Sequence, residues 1–332
     1  MINEIVSAID FGRHKLTPWG IVSVLIFVGI IFAVYAAEAY LILGVIKRKR
    51  KGQGIPKRFR SAGAIIIHLL AILGMACLLY GHFIEPYWIE VKKVEIPTNK
   101  LYQTTVRLVQ ISDTHCTIRP LNEKKMVEII NGLKPDIIVF TGDSANNSKG
   151  LKRFKETMAK LDARLGKFAV RGNIDVYFWP GADILGGTGF AELDGNSIEI
   201  DKDGEKIWIT GVSCEKEGKI GDVLKKVPED CFSIFLNHFP DLVEDLNGLN
   251  VDLYLAGHTH GGQVALPFYG AIITLSKFGK KYESGEYKVG NTILYVNRGL
   301  GLAAGINPKM RFFARPEITV FEICPPGQIK PK

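Results

Sequence analysis

Two long apolar runs open the chain, and short apolar runs alternating with amphipathic ones fill the rest. Thr17 to Ala37 carries no charge, and its apolar pattern continues past Glu38 to Ile46. Ser61 to Ile84 is free of Asp, Glu, Lys and Arg and holds two histidines, His68 and His82. A helix needs about 20 apolar residues to cross the bilayer core, so each run is long enough. Trp19, Tyr80, Tyr87 and Trp88 sit near the run ends, where amphipathic rings favour the membrane interface. The first run is too long for a cleaved signal peptide, and its basic residues follow it instead of preceding it. Residues 1–84 therefore read as a hairpin of two transmembrane helices, with spans over about 19–46 and 61–84. Glu38 and His68, inside these runs, are expected in near-interface or helix-packing roles, with a functional intramembrane role as the alternative.

Residues 85–104 read as a short polar connector containing Pro86 and Pro97, and a globular part then begins. Val106 to Ile111 has a strand pattern. Leu121 to Leu133 is helical, with apolar Met126, Ile129 and Ile130 on one face. Asp136 to Thr141 is the next strand, Leu151 to Leu161 a helix, and Lys167 to Arg171 a strand. Further strands are expected at Ile207–Val212, Ser233–Leu236, Asp252–Ala256, Thr292–Val296 and Ile318–Ile323. Early alternation of strands and helices, followed by more strands, predicts a layered α/β domain.

Composition changes the picture in one respect. The 332 residues carry a net charge of +8, with 42 Lys and Arg against 34 Asp and Glu. Eight cations lie between the two apolar runs with no acid among them: Lys47, Arg48, Lys49, Arg50, Lys51, Lys57, Arg58 and Arg60. The remaining 34 basic residues balance the 34 acidic ones, so the basicity is local. With no nucleic-acid-binding motif present, no nucleic-acid partner is expected. The positive-inside bias places the basic loop, 47–60, in the cytoplasm and the globular domain outside it. A shallow hairpin would instead leave that domain cytoplasmic. The five cysteines form no regular framework, which argues against a disulfide-built fold.

Candidate chemistry recurs just past the apolar strands. Asp113-Thr114-His115 follows Ile111, Gly142-Asp143 follows Phe140, and Gly172-Asn173 follows Val170. His238 follows Leu236, and Gly257-His258-Thr259-His260-Gly261-Gly262 follows Ala256. In open α/β sheets, ligands bind outside the carboxyl ends of strands. Five strand ends carrying Asp, His or Asn point to metal ligation. Cys116 beside His115 is not expected to act as a nucleophile, because alternation along the chain turns it away.

These ordered segments resemble the calcineurin-like metallophosphoesterase family over about Val106 to Ile323. The apolar spans, Gly257 to Val264, Asn297-Arg298-Gly299-Leu300-Gly301 and Arg315-Pro316-Glu317 are similar to its membrane-associated bacterial branch. The resemblance implies a four-layer αββα sandwich over residues 105–325, a short tail at 326–332, and two divalent metal ions. By family pattern, Asp113, His115 and His260 bind one metal, Asn173, His238 and His258 bind the other, and Asp143 bridges them. Mixed carboxylate, imidazole and amide ligands suit Mn, with Fe or Zn as alternatives. Two ions about 3.5–4 Å apart can lower the pKa of a shared water and hold phosphate oxygens. Asp143, Asn173 and His258 are thereby expected to support catalysis.

Two departures from the family bear on the substrate. Many members carry His directly after the Asn, where it binds phosphate and protonates the leaving oxygen. Here Ile174 stands there, followed by Asp175, which can replace the acid or bind local backbone. Where the Gly-Asp motif often has another Asp three residues on, this chain has Asn146, which is not assigned to a metal. A poor alkoxide leaving group needs a general acid, whereas a phosphate or nucleotide needs it much less. Arg298, after a further strand, can hold a phosphate bidentately or form an ion pair. The apolar stretches Val176 to Pro180 and Leu266 to Tyr269 are placed near the mouth of the site, to receive an acyl chain or simply to pack. Lys277, Lys280 and Lys281 are expected in a solvated loop.

The expected function is a metal-dependent phosphoester hydrolase in the bacterial inner membrane, acting on a lipid-linked pyrophosphate or phosphodiester. UDP-2,3-diacylglucosamine of lipid A synthesis is one candidate, and it requires a cytoplasmic site. An outward-facing site favours an envelope phospholipid or cell-wall phosphodiesterase. A catalytically weak metal-binding membrane scaffold is the rival from another class. No oligomeric state follows from the sequence.

Overall fold

Helix α1, Pro18–Arg50, and helix α2, Ala62–Phe83, form an antiparallel hairpin. Thr17 caps the first, its side chain accepting from Gly20 N at 3.1 Å, with Pro18 at the first helical position. Ser61 caps the second through Ala64 N. Both helices are long and apolar enough to cross a membrane. The computed structural model describes residues 17–214, 216, 218, 220–303 and 308–328. Inside the hairpin, His68 Nδ1 lies 2.6 Å from Glu38 Oε2, so the two polar groups in the apolar runs satisfy each other across the helices. The basic loop, including the short turn Lys57–Arg60, lies at the far end of the hairpin from the globular domain.

That domain is built on two six-stranded sheets. The first contains β1 (Glu90–Pro97), β2 (Val106–Ile111), β3 (Ile137–Phe140), β4 (Gly166–Ala169), β5 (Ala191–Glu192) and β14 (Glu317–Cys324). Their order is β1-β14-β2-β3-β4-β5. The second contains β6 (Asn196–Lys202), β7 (Glu205–Gly211), β8 (Phe232–Leu236), β9 (Leu253–Ala256), β12 (Gly285–Val289) and β13 (Thr292–Val296), in the order β12-β13-β9-β8-β7-β6. A small ribbon, β10 (Ala265–Leu266) with β11 (Gly270–Ala271), stands apart.

Alternation along each strand explains the layering. Leu108, Ile137 and Val139 of the first sheet meet Ile234, Leu236, Leu253 and Leu255 of the second in one core. Val109, Ile138 and Phe140 point the other way, onto helices α3 (Glu123–Leu133) and α4 (Ser148–Met158), through Met126, Ile130, Phe154 and Met158. Phe235, Tyr254 and Ala256 form a third cluster with Leu242 and Val243 and with Ile220 and Leu224 of the short helix Ile220–Leu224. The result is the four-layer αββα sandwich.

Three local readings of the sequence differ from the structure. The stretch read as a polar connector contains β1, which pairs in parallel with β14, Val94 opposite Phe321 and Ile96 opposite Ile323. Lys92, Lys93 and Glu95 are exposed while Val94 and Ile96 are buried, as suits an edge strand whose charged side chains discourage further pairing. Helix α4 begins earlier than the apolar pattern suggested, because Asn147 caps it by accepting from Gly150 N at 2.8 Å. Strands β6 and β12 carry few large apolar residues and were not anticipated; both lie at sheet edges. All five cysteines are free thiols.

Because Ile96 is buried between the sheets at 2% exposure, Ile96→Ala should cost about 2–5 kcal/mol of domain stability. Denaturant unfolding of the detergent-solubilised protein measures this, and an unchanged midpoint would contradict the placement of β1 in the core.

Candidate metal centre

The carboxyl ends of β2, β3, β4, β8 and β9 converge on one place, and all five predicted strand-end motifs meet there. β2, β3 and β4 run parallel, as do β8 and β9, so their loops emerge on the same side. Asp113, His115 and His260 bring their ligand atoms within 4.8 Å of one another, and so do Asp113, Asp143 and His238. His115 Nε2 faces His260 Nε2 at 3.1 Å. Asp143 Oδ2 lies 3.6 Å from His115 Nε2 and 3.3 Å from His238 Nε2, between the two groups. Asn173 Oδ1 lies 3.1 Å from His258 Nδ1, and the His258 ring stands 5.1 Å from that of His238.

The backbone is bent hard to achieve this. Asp113, His115, Asp143, His258 and His260 all have φ between 41° and 72°, a left-handed region that residues other than glycine seldom occupy. Each costs of order 1–3 kcal/mol and persists only where its surroundings impose it. Glycines make the approach possible. A Cβ on Gly257 would lie 2.0 Å from Ser112 Oγ and 2.3 Å from Asp113 Oδ2, and one on Gly172 would lie 2.2 Å from Asp143 Oδ1.

Oxygen acceptors behind three of the rings set their tautomers. His115 Nδ1 donates to Asn146 Oδ1 at 2.7 Å, His238 Nδ1 to Thr141 O at 2.7 Å, and His258 Nε2 to Leu275 O at 3.2 Å. The opposite nitrogen of each faces the other candidate ligands, His115 Nε2 toward His260 and His258 Nδ1 toward Asn173. His238 Nε2 is buried and has no hydrogen-bond partner. A buried polar atom left in this way calls for a ligand, and a divalent cation between Asp113, Asp143 and His238 fits it.

The electrostatics point the same way. Burial opposes charge on Asp113, yet the His260, His238 and His115 rings hold its carboxyl well below the usual carboxylate range. Asp143 is likewise lowered, its burial outweighed by His238 and His115. Burial pulls His238 down, but Asp143 and Asp113 outweigh it and raise it to about 9. His115 is lowered, chiefly by burial. The site concentrates negative charge that only protonated imidazoles or cations can balance.

Residues 106–262 match the calcineurin-like phosphoesterase family model. An uncharacterised metallophosphoesterase, YkuE of Bacillus subtilis, is 36% identical over 259 residues, covering 74% of this chain and 88% of its own. The chain belongs to the calcineurin-like metallophosphoesterase family. It is similar also to the UDP-2,3-diacylglucosamine pyrophosphatase LpxG of Chlamydia muridarum, at 26% identity over 76% of this chain and 95% of that one. A transmembrane protein with a metallophosphoesterase domain from Danio rerio is 27% identical, over 78% of this chain and 63% of its own length. The family uses a dinuclear divalent metal site, and this metallophosphoesterase is a metal-dependent phosphoester hydrolase. The scaffold reading of the sequence is thereby set aside.

At the other expected residues the structure selects among the readings left open. Arg298, expected at a phosphate or in an ion pair, is in the ion pairs: Nε contacts Glu317 Oε2 at 2.6 Å and Nη2 contacts Glu90 Oε2 at 2.5 Å. Both carboxylates bind the guanidinium that a phosphate would need. Asp175 is 0% exposed and takes four donors: Asp143 N, Ser144 N, Ser144 Oγ and Gly172 N, at 2.5–3.0 Å. Burial and the nearby Asp143 raise its pKa. It braces the Gly-Asp turn and is not free to reach a leaving group. Ile174 is buried, and its N–H donates to Asp143 Oδ1 at 2.8 Å. Burial pushes the Cys116 thiol up to about 12, so it is inert. Asn146 is the residue whose part sequence reasoning missed; its signal was its place three residues after Asp143. Lys280 and Lys281 are paired with Glu283 and Glu244.

Two outcomes follow from this geometry. Gly257→Ala forces a Cβ into Ser112 and Asp113 and should reduce metal affinity about 10–100-fold, as measured by titration calorimetry. Below pH 9 the metal-free His238 carries a proton that a metal must displace. Metal binds only the deprotonated ring, so affinity should fall as pH drops, by about tenfold per pH unit for that one proton. Calorimetry between pH 6 and pH 8 checks it, and a pH-independent affinity would contradict it.

Proposed function

We propose that this metallophosphoesterase is anchored in a bilayer by α1 and α2 and cleaves a pyrophosphate or phosphodiester bond of a lipid-linked substrate. One observation carries the reading: a hairpin long enough to span a membrane is seated on the loops that hold the metal centre. Ser23 of α1 is hydrogen-bonded to Tyr269 at 2.7 Å, and Gly81 O of α2 accepts from Arg311 N at 2.9 Å. Tyr177, Phe178 and Phe268, in the two apolar stretches of the rim, are more than half exposed. Phe268, next to the Tyr269 that meets α1, is an exposed ring beside a membrane-length helix and suits contact with acyl chains or headgroups.

In this reading Asp113, His115 and His260 hold one divalent ion, Asn173, His238 and His258 hold the other, and Asp143 touches both. When bound, such a pair activates water and offsets charge on phosphate oxygens. Manganese suits the mixed oxygen and nitrogen donors, with Fe or Zn as alternatives. The chain's own contribution is orientation: Asn146, Thr141 and Leu275 aim three rings, and Asp175 fixes the turn that carries Asp143. No side chain of the Ile174–Asp175 pair can protonate a leaving oxygen. That favours a leaving nucleotide or phosphate over an alkoxide. The name of the LpxG relative supports UDP-2,3-diacylglucosamine as the specific candidate.

A second reading rests on the hairpin. Helix α1 has 33 residues, about 50 Å at 1.5 Å per residue. That exceeds a hydrocarbon core of about 30 Å. The basic loop and the domain lie at opposite ends of the hairpin, so a spanning hairpin with the loop in the cytoplasm puts the domain outside. An envelope phospholipid or cell-wall phosphodiester would then be the substrate.

Mn-dependent hydrolysis of bis(p-nitrophenyl) phosphate should fall at least about 100-fold in His258→Ala, since losing a ligand exceeds losing its supporting partner. Release of UMP from UDP-2,3-diacylglucosamine supports the first substrate, and its absence alongside diester hydrolysis supports the second. Tyr102→Cys, at a site 78% exposed, reports the side: labelling by an impermeant maleimide in whole cells is expected only for an outward domain.

A further inference from the structure

Arg311 lies outside every motif noticed in the sequence, yet it is 0% exposed. Among the described residues no carboxylate pairs with its guanidinium. A buried cation is costly unless its donors are used. Here Nε donates to Gly301 O, Nη1 to Ala314 O, and Nη2 to Arg298 O, Gly299 O and Gly301 O, at 2.6–3.1 Å. Nη2 also lies 3.3 Å from His260 Nδ1.

Three of the four carbonyls it gathers, those of Arg298, Gly299 and Gly301, belong to the segment that supports one set of candidate ligands. Leu300 N donates to Ser112 O at 3.1 Å and Gly301 N to Asp113 O at 2.7 Å. A Cβ on Gly299 would lie 2.5 Å from Asp113 Cβ, and one on Gly301 would lie 2.8 Å from His115 Cβ. Asp113, His115 and His260 thus all rest on Arg311 or on the loop it ties. The rings of His238 and His258 are held from elsewhere, by Thr141 O and Leu275 O.

On its other side Arg311 rests on the hairpin. Its N–H donates to Gly81 O in the last turn of α2, and a Cβ on Gly81 would lie 2.5 Å from Met310 Cε and 3.0 Å from Arg311 O. Phe312 meets Tyr80 edge-on at 6.1 Å, and the buried Glu85 carboxylate accepts from Phe313 N and Ala314 N. We propose that Arg311 is a positioning residue that couples the seating of the helix hairpin to one half of the metal centre, the half formed by Asp113, His115 and His260. The inference rests on that ligand assignment but not on the identity of the substrate.

The test is calorimetric titration of Mn²⁺ into the full-length, metal-stripped protein in detergent. Wild type should bind two equivalents. Arg311→Lys keeps the charge but lacks the planar fork that reaches four carbonyls and the ring. Gly81→Val changes only the helix contact. Each should weaken one equivalent 10–100-fold and leave the other unchanged. In His260→Ala, which lacks that half outright, adding Gly81→Val should change nothing further. Unchanged affinities, equal weakening of both equivalents, or weakening in Arg311→Lys alone would overturn the coupling. If Arg311→Lys does not fold, Gly81→Val carries the test. A wild type that binds fewer than two equivalents would overturn the dinuclear assignment and this inference with it. Diester hydrolysis without UMP release touches only the substrate.

Discussion

Two buried carboxylates govern the architecture. Asp113 and Asp143 are 0% and 2% exposed and share two imidazole neighbours, His115 and His238. Carboxylates in that position are held in place only by cations and by oriented donors. Satisfying them draws the ends of five strands from two sheets to one point. It also holds five candidate ligand residues in left-handed backbone and excludes side chains at Gly172 and Gly257. The αββα sandwich makes this affordable, since its three apolar clusters supply the stability that the strained rim consumes.

The same constraint shapes the chemistry. Three of the four rings are fixed from behind by oxygen acceptors, and the Nε2 of His238, which has no hydrogen-bond partner, marks where a cation belongs. Groups that looked free for catalysis are engaged in holding this arrangement. Asp175 is saturated by four donors at the Gly-Asp turn, and Arg298 is neutralised by Glu90 and Glu317. What remains is a centre strong in charge stabilisation and poor in proton donors, which narrows the substrates it suits. The hairpin enters the same network, because the last turn of α2 supports the segment 310–314 on which one set of ligands leans.

Much of this was legible in the sequence. Asp113, His115, Asp143, Asn173, His238, His258 and His260 each follow a short apolar run, and that position alone gathers them at the carboxyl ends of parallel strands. The two helices were legible from length and composition. Strand β1 was hidden because an edge strand with one solvated face looks like a polar linker. Arg311 was hidden for another reason: its role lies in contacts with residues distant in sequence, and no local spacing encodes it. Arg298 stayed open between phosphate and an ion pair because Glu90, one of its two partners, sits on that unrecognised strand.

The most direct measurement is anomalous scattering at the manganese edge from crystals of the Mn²⁺-loaded protein. The account predicts two peaks about 3.5–4 Å apart. Both should contact Asp143, one with Asp113, His115 and His260 and the other with Asn173, His238 and His258. A single peak, or ions held by residues outside these seven, would contradict it.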